Sequence, residues 1–270
     1  MIDNQDRKSQ IFLIFDYKIR CQVNSAKSPT LPLPASFGGV LFVTFRLRDA
    51  LPESFGQNLA LQYYTRQVEL VQHPHFTEQL HLTRKRLFAR FDAALDLEKY
   101  GHAYLREPTL AQIVSDELQR QDGSTYDLLA YSILPNHVHL LVNLRHTLTD
   151  DPPLDDLESF LFKPLRDLVQ EIQNATEAPL KKALRRMGAH IDPTTFQKHS
   201  PKGGVKLEGK FWHERSFDFR IHDAAEFEKI ACYILRNPVK AELVSDWQDW
   251  PFSFARTRQL KQPVQKRPPE

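Results

Sequence analysis

The sequence predicts an α+β sandwich, a mainly antiparallel sheet with helices packed against it. Three observations carry that prediction. Two segments rich in β-branched and aromatic residues follow one another closely across Pro135-Asn136, as the arms of a hairpin do. A third such segment lies far upstream at residues 40–47. The stretches between them carry apolar residues at helical spacing, so strands and helices share one chain without a regular βαβ alternation.

Residues 1–39 read as a partly disordered extension. Ser28-Pro29-Thr30-Leu31-Pro32-Leu33-Pro34 disfavours regular structure, and Gly38-Gly39 breaks the chain before the first strand. Val40-Leu41-Phe42-Val43-Thr44-Phe45-Arg46-Leu47 is that strand, closed by Leu51-Pro52. Residues 53–100 are a helical insertion in two runs, with Leu59, Tyr63 and Leu70 on the first and Leu87, Phe88, Phe91, Ala94 and Leu95 on the second. The cations Arg84, Lys85, Arg86 and Arg90 on the second run suit a solvated helix face. Pro108 opens a further helix, which Asp122-Gly123-Ser124 ends.

Tyr126 to Leu134 and His137 to Leu144 form the hairpin, and a helix begins near Leu154, with Pro164 expected to start or kink it. Residues 179–209, with Gly188, Pro193, Pro201 and Gly203-Gly204, read as a basic loop. Ser216 to Ile221 alternates as a strand. Asp223 and Glu226 have capping-box spacing at the start of a helix that Pro238 is expected to stop after Asn237. The domain proper spans residues 40–255, and residues 256–270 read as a disordered tail.

Forty-one per cent of the 270 residues are apolar, which excludes a wholly disordered chain, and the net charge of +2 says little about partners. Its distribution says more. Residues 181–215 hold nine Lys or Arg against three acids, an electrostatic footprint suited to phosphates and equally to a solvated loop. Two cysteines, Cys21 and Cys232, provide neither a disulfide framework nor a thiolate zinc site, and no apolar run reaches membrane-spanning length. A cytoplasmic protein without membrane partners is the expectation.

His137-Val138-His139 places two imidazoles on one face of a strand, because side chains there alternate with period two. That geometry suits a metal ion, and it suits hydrogen-bonded histidines as well. Tyr233 and Asn237 lie one turn apart on the last helix and can face a common point. Asn237 offers an amide oxygen of the kind magnesium or manganese takes.

Taken together the residues resemble a family. Leu134-Pro135-Asn136-His137-Val138-His139-Leu140-Leu141-Val142, then Gly209-Lys210-Phe211-Trp212-His213-Glu214-Arg215-Ser216-Phe217-Asp218, then Tyr233-Ile234-Leu235-Arg236-Asn237-Pro238-Val239-Lys240-Ala241-Glu242-Leu243-Val244 with Trp250-Pro251-Phe252-Ser253 are similar to the single-tyrosine transposases of small insertion sequences. The REP-associated branch fits best, over roughly residues 40 to 255. The resemblance implies a ferredoxin-like βαββαβ core of the HUH endonuclease type, here with helical and loop insertions. It implies Tyr233 as nucleophile, and His137 and His139 with Asn237 as ligands of Mg²⁺ or Mn²⁺.

The reaction so implied is cleavage and rejoining of single-stranded DNA beside hairpins through a 5′-phosphotyrosine. Lys163, Arg166, Lys181, Lys182, Arg185, Arg186, Lys202, Lys206 and Lys210 are candidates for phosphate contact, and Trp212 for stacking on a base. The insertions leave monomer and homodimer both open. The alternative is a host-resident protein that binds or processes repeat hairpins without transposition. A small-molecule metallohydrolase using the His pair would need additional carboxylate or His ligands near the strand, and the sequence offers no strong candidate.

Overall fold

Five strands form one sheet in the order β4-β1-β3-β2-β5, every neighbouring pair antiparallel. They are β1 (Val40–Arg46), β2 (Asp127–Ile133), β3 (His137–Asn143), β4 (Phe217–Arg220) and β5 (Ser253–Ala255). The computed structural model describes residues 31–34, 39–144, 157–187 and 210–256, with side chains of the last helix before β4 described from residue 165. The central strands β1 and β3 are buried along their whole length, so both faces of the sheet are covered there. The hairpin closes where the Leu134 amide donates to the His137 carbonyl across Pro135-Asn136.

Helices α1 (Glu53–Leu70), α2 (Phe76–Asp96), α3 (Pro108–Arg120), α4 (Leu157–Met187) and α5 (Ala224–Lys240) cover the sheet. The two faces are distinguished by their contacts. Phe42 packs edge-on against Phe88 of α2 and Tyr233 of α5, so these helices share one face. On the other, Tyr131 hydrogen-bonds Ser115 of α3, and Trp212, packed on Phe45, donates to Thr176 of α4.

Three expectations are corrected. The basic segment is helical to Met187, because Leu180 and Leu184 continue the apolar stripe of α4 and are fully buried, and this burial carries the helix past Pro179. Likewise α4 begins before Pro164 and runs through it, so the proline does not start the helix. Helix α5 runs two residues beyond Pro238 and ends with Glu242 at φ 56°; a proline this near the end forfeits only one intrahelical hydrogen bond. The edge strand β5 carries too few residues to show an alternating pattern. The N-terminal extension before residue 31 and the tail after residue 256 lie outside the described residues. Among the described residues no helix is long and apolar enough to cross a membrane.

Candidate active site

The site is assembled on the α2/α5 face by three elements. On β3, His137 and His139 stand opposite Arg46 and Thr44 of β1, so the four side chains share that face. Both histidines are buried. His137 Nδ1 lies 2.6 Å from Asn136 Oδ1, whose amide nitrogen is committed to the Leu95 carbonyl. Nδ1 therefore carries the proton and donates, and His137 Nε2 is left with a bare lone pair. His139 Nδ1 is 2.7 Å from Thr44 Oγ1, a hydroxyl able either to donate to it or to accept from it. The two Nε2 atoms then face each other at 3.1 Å.

Helix α2 brings Asp92, which is 0 % exposed, so that Oδ1 stands 3.2 Å from His139 Nε2. Asp92, His137 and His139 each offer a donor atom within 4.8 Å of the others. Two donors about 2.1 Å from one ion and about 90° apart lie about 3.0 Å from each other, so spacings of 3.1 and 3.2 Å suit the bite of a single divalent cation. Helix α5 adds Tyr233, its ring 5.4 Å from that of His139, with Asn237 one turn on and Lys240 at the helix end.

The polar atoms of this cluster are starved of partners. Asp92 Oδ1, Tyr233 Oη and both amide atoms of Asn237 are buried without a hydrogen bond. Such groups cost stability unless something pairs with them, and their concentration at one point fits an ion-binding site. Electrostatics agree. Burial raises the Asp92 carboxyl, but His139 and the ammonium of Lys240 more than offset this and keep it ionised, below its usual range. Burial, then His139, holds His137 well below the ordinary imidazole value, so it stays neutral as a ligand must. Burial, then Asp92, lifts Asp96 to about 6. Burial, then Asp92 and Asp96, pushes the Tyr233 phenol well above 10.

Lys240 Nζ is 3.3 Å from Asp92 Oδ2 and 2.5 Å from Asp96 Oδ2, and 5.7 Å from the Tyr233 ring centroid. It is the cation that balances the buried carboxylates.

Of the residues expected from sequence, His137, His139, Tyr233 and Asn237 thus come together. Lys181 and Lys210 line an open groove of about 940 Å³ with Arg48 and Arg215. Lys182, Arg185 and Arg186 are exposed near the end of α4, and Arg166 is exposed earlier on it. Lys202, Lys206 and the side chain of Lys163 lie outside the described residues. Trp212 is corrected. It is 2 % exposed with its indole N–H donating to Thr176 Oγ1 at 2.9 Å, so it is part of the core and has no face for a base. The α2 cations, expected on a solvated face, include Arg84 paired with Asp218 and Lys85 paired with Glu226.

Asp92, Thr44, Asn136 and Lys240 were not expected as site residues. For Asp92 a signal exists: it falls within the apolar stripe of Phe88, Phe91 and Leu95, where an acid needs a partner.

No protein-family model matches the sequence, and no curated protein does. A solved structure of a REP-associated tyrosine transposase bound to a REP hairpin shares 15% identity over 86% of this chain and 82% of that one, at a TM-score of 0.32.

Proposed function

We propose that this chain is a metal-dependent single-strand DNA transesterase that cleaves and rejoins DNA beside hairpins through a 5′-phosphotyrosine on Tyr233. The observation that carries this reading is the convergence, from β3, α2 and α5, of two imidazole nitrogens, a buried carboxylate, and a buried phenol and amide. The motifs around His137, Lys210 and Tyr233 support the same reaction. The strand order β4-β1-β3-β2 with helices after β1 and after β3 supports the ferredoxin-like βαββαβ unit of the HUH type that the motifs imply. In that reading α1 and α2 are the insertion, and α5 and β5 follow the unit.

His137, His139 and Asp92 would hold Mg²⁺ or Mn²⁺, with Asn237 Oδ1 as a further oxygen donor. Such an ion, when bound, polarises non-bridging phosphate oxygens and offsets the charge that develops on them. The remaining chemistry belongs to the side chains. Tyr233 Oη bonds to phosphorus as the bond from phosphorus to the 3′ oxygen breaks; the phenol gives up its proton and the departing oxygen leaves as a hydroxyl. A later 3′-hydroxyl reverses the exchange without ATP. In the DNA-free protein the phenol is held neutral and its oxygen is buried, so the side chain must turn outward to meet a strand. In this reading Arg166, Lys181, Lys182, Arg185, Arg186 and Lys210 are the cations that would contact phosphates of the flanking duplex.

The test is incubation with single-stranded hairpin DNA and Mn²⁺, followed by denaturing electrophoresis. A protein band retarded by the attached strand is expected, absent in Tyr233→Phe and absent with EDTA. Adduct that persists in Tyr233→Phe, or cleavage with no adduct at all, overturns the assignment.

A further inference from the structure

Beside the metal-ligand cluster, on the same face of the sheet, lies a separate cavity of about 220 Å³. It shares its wall with the site. Arg46, which stands opposite His137 across the β1–β3 pair, lines it, and so does Phe91, the residue before Asp92.

The walls suit a flat heterocycle. Phe91 and Phe217 lie ring against ring at 5.4 Å and 31°, and Tyr63 lies beneath the Arg84 guanidinium, 5.7 Å from its ring centroid. Arg46 is 2 % exposed and donates through Nη1 to the carbonyls of Leu47, Arg48 and Leu51. Among the described residues its Nε and Nη2 edge has no such engagement, and that is the fork which reads two acceptors on one edge of a base. At 220 Å³ the space is below the range of drug-sized pockets, about 300–1,000 Å³, and suits one ring system rather than a dinucleotide.

The wall on α1 carries a second indication. Gly56 lies inside helix α1, where glycine costs roughly 1 kcal/mol against alanine. A Cβ added there meets nothing within 4 Å, so packing does not require the glycine. Gly56 lines the cavity, so its missing side chain leaves that stretch of wall bare.

We propose that this cavity is a nucleobase pocket, selective for guanine through Arg46, which takes the base of a nucleotide adjoining the phosphate presented to Tyr233. The link to Tyr233 rests on the transesterase reading; the pocket itself does not.

The probes are dGMP, dCMP and inorganic phosphate, titrated into the full chain in EDTA with ligand-observed NMR. Saturable dGMP binding is expected, tighter than dCMP by roughly fivefold or more. Gly56→Leu, which adds bulk to the cavity wall from an uncrowded helical position, is expected to weaken dGMP binding by at least tenfold with an unchanged or higher Tm. Three results overturn the pocket: no dGMP binding, phosphate binding as tight as dGMP, or dGMP binding unaffected by Gly56→Leu. The adduct assay separates the two claims. Nucleotide binding without adduct would leave the pocket standing and remove the transesterase reading, and adduct without nucleotide binding would do the reverse.

Discussion

Replacing Tyr233 by Phe separates what the site costs the fold from what it does. The oxygen removed is buried and has no partner in hydrogen-bonding geometry, although the Asp92 carboxylate and the Asn237 amide lie close enough to act on it. A hydroxyl held dry and unpaired costs about 1–3 kcal/mol by protein mutational measure. The ring remains, and with it the edge contacts to Phe42 and Phe88 at 6.2 and 6.1 Å, so little packing is lost. The metal-free protein should therefore gain about 1 kcal/mol or more. For a chain of this length each kcal/mol moves Tm by roughly 2–4 °C. Thermal unfolding followed by circular dichroism in EDTA, run beside the adduct gel, reads both quantities. Tm should rise while the adduct disappears. A Tm lowered by about 2 °C or more would show that the hydroxyl is bonded in the free protein, and the inference from its isolation would fail.

Asp92→Asn should weaken Mn²⁺ binding, measured calorimetrically, by at least about tenfold, since one anionic donor of three is lost; unchanged affinity would remove Asp92 from the ligand set. Thr44→Val keeps shape but takes the partner from His139 Nδ1, and a loss of about 10–100-fold in Mn²⁺ affinity is expected, whereas affinity within twofold of wild type would show that Thr44 does not orient the ring. Glu226 tests the docking of α2 on α5. Burial raises its carboxyl, but bonds from His81, Lys85 and the His222 amide bring it down to about 2. A depressed folded value stabilises above the ordinary glutamate range and is lost as pH falls from about 4.5 to about 2. Glu226→Gln should thus cost about 2–3 kcal/mol at pH 7 and flatten the acid limb of a stability profile; an acid limb as steep as in wild type would assign that titration to other groups.

Much of the site was legible along the chain because its parts obey local periods. Alternation in β3 puts His137 and His139 on one face, and the four-residue step puts Tyr233 near Asn237; the Asp223 cap with its bond from the Glu226 amide follows from spacing alone. The hairpin at Pro135-Asn136 and the helix at Pro108 are equally local. Other features depended on what an element packs against. Trp212 could be a surface aromatic or a core one until α4 placed Thr176 against its N–H. The end of α4 depended on burial of Leu180 and Leu184 rather than on its prolines.

The sequence by itself determined which residues of β3 and α5 look the same way, and from its motifs which chemistry they resemble. What they look at is set by the packing of the helices on the sheet. Asp92 belongs to a helix whose docking is tied by the Asn136 bond to Leu95 and by the Lys85–Glu226 pair, contacts between residues far apart in the chain. A periodic pattern reports the face of its own element and carries no information about which face will lie opposite, so the carboxylate, the balancing Lys240 and the cavity beside Arg46 appear only once α2 and α5 are laid on the sheet.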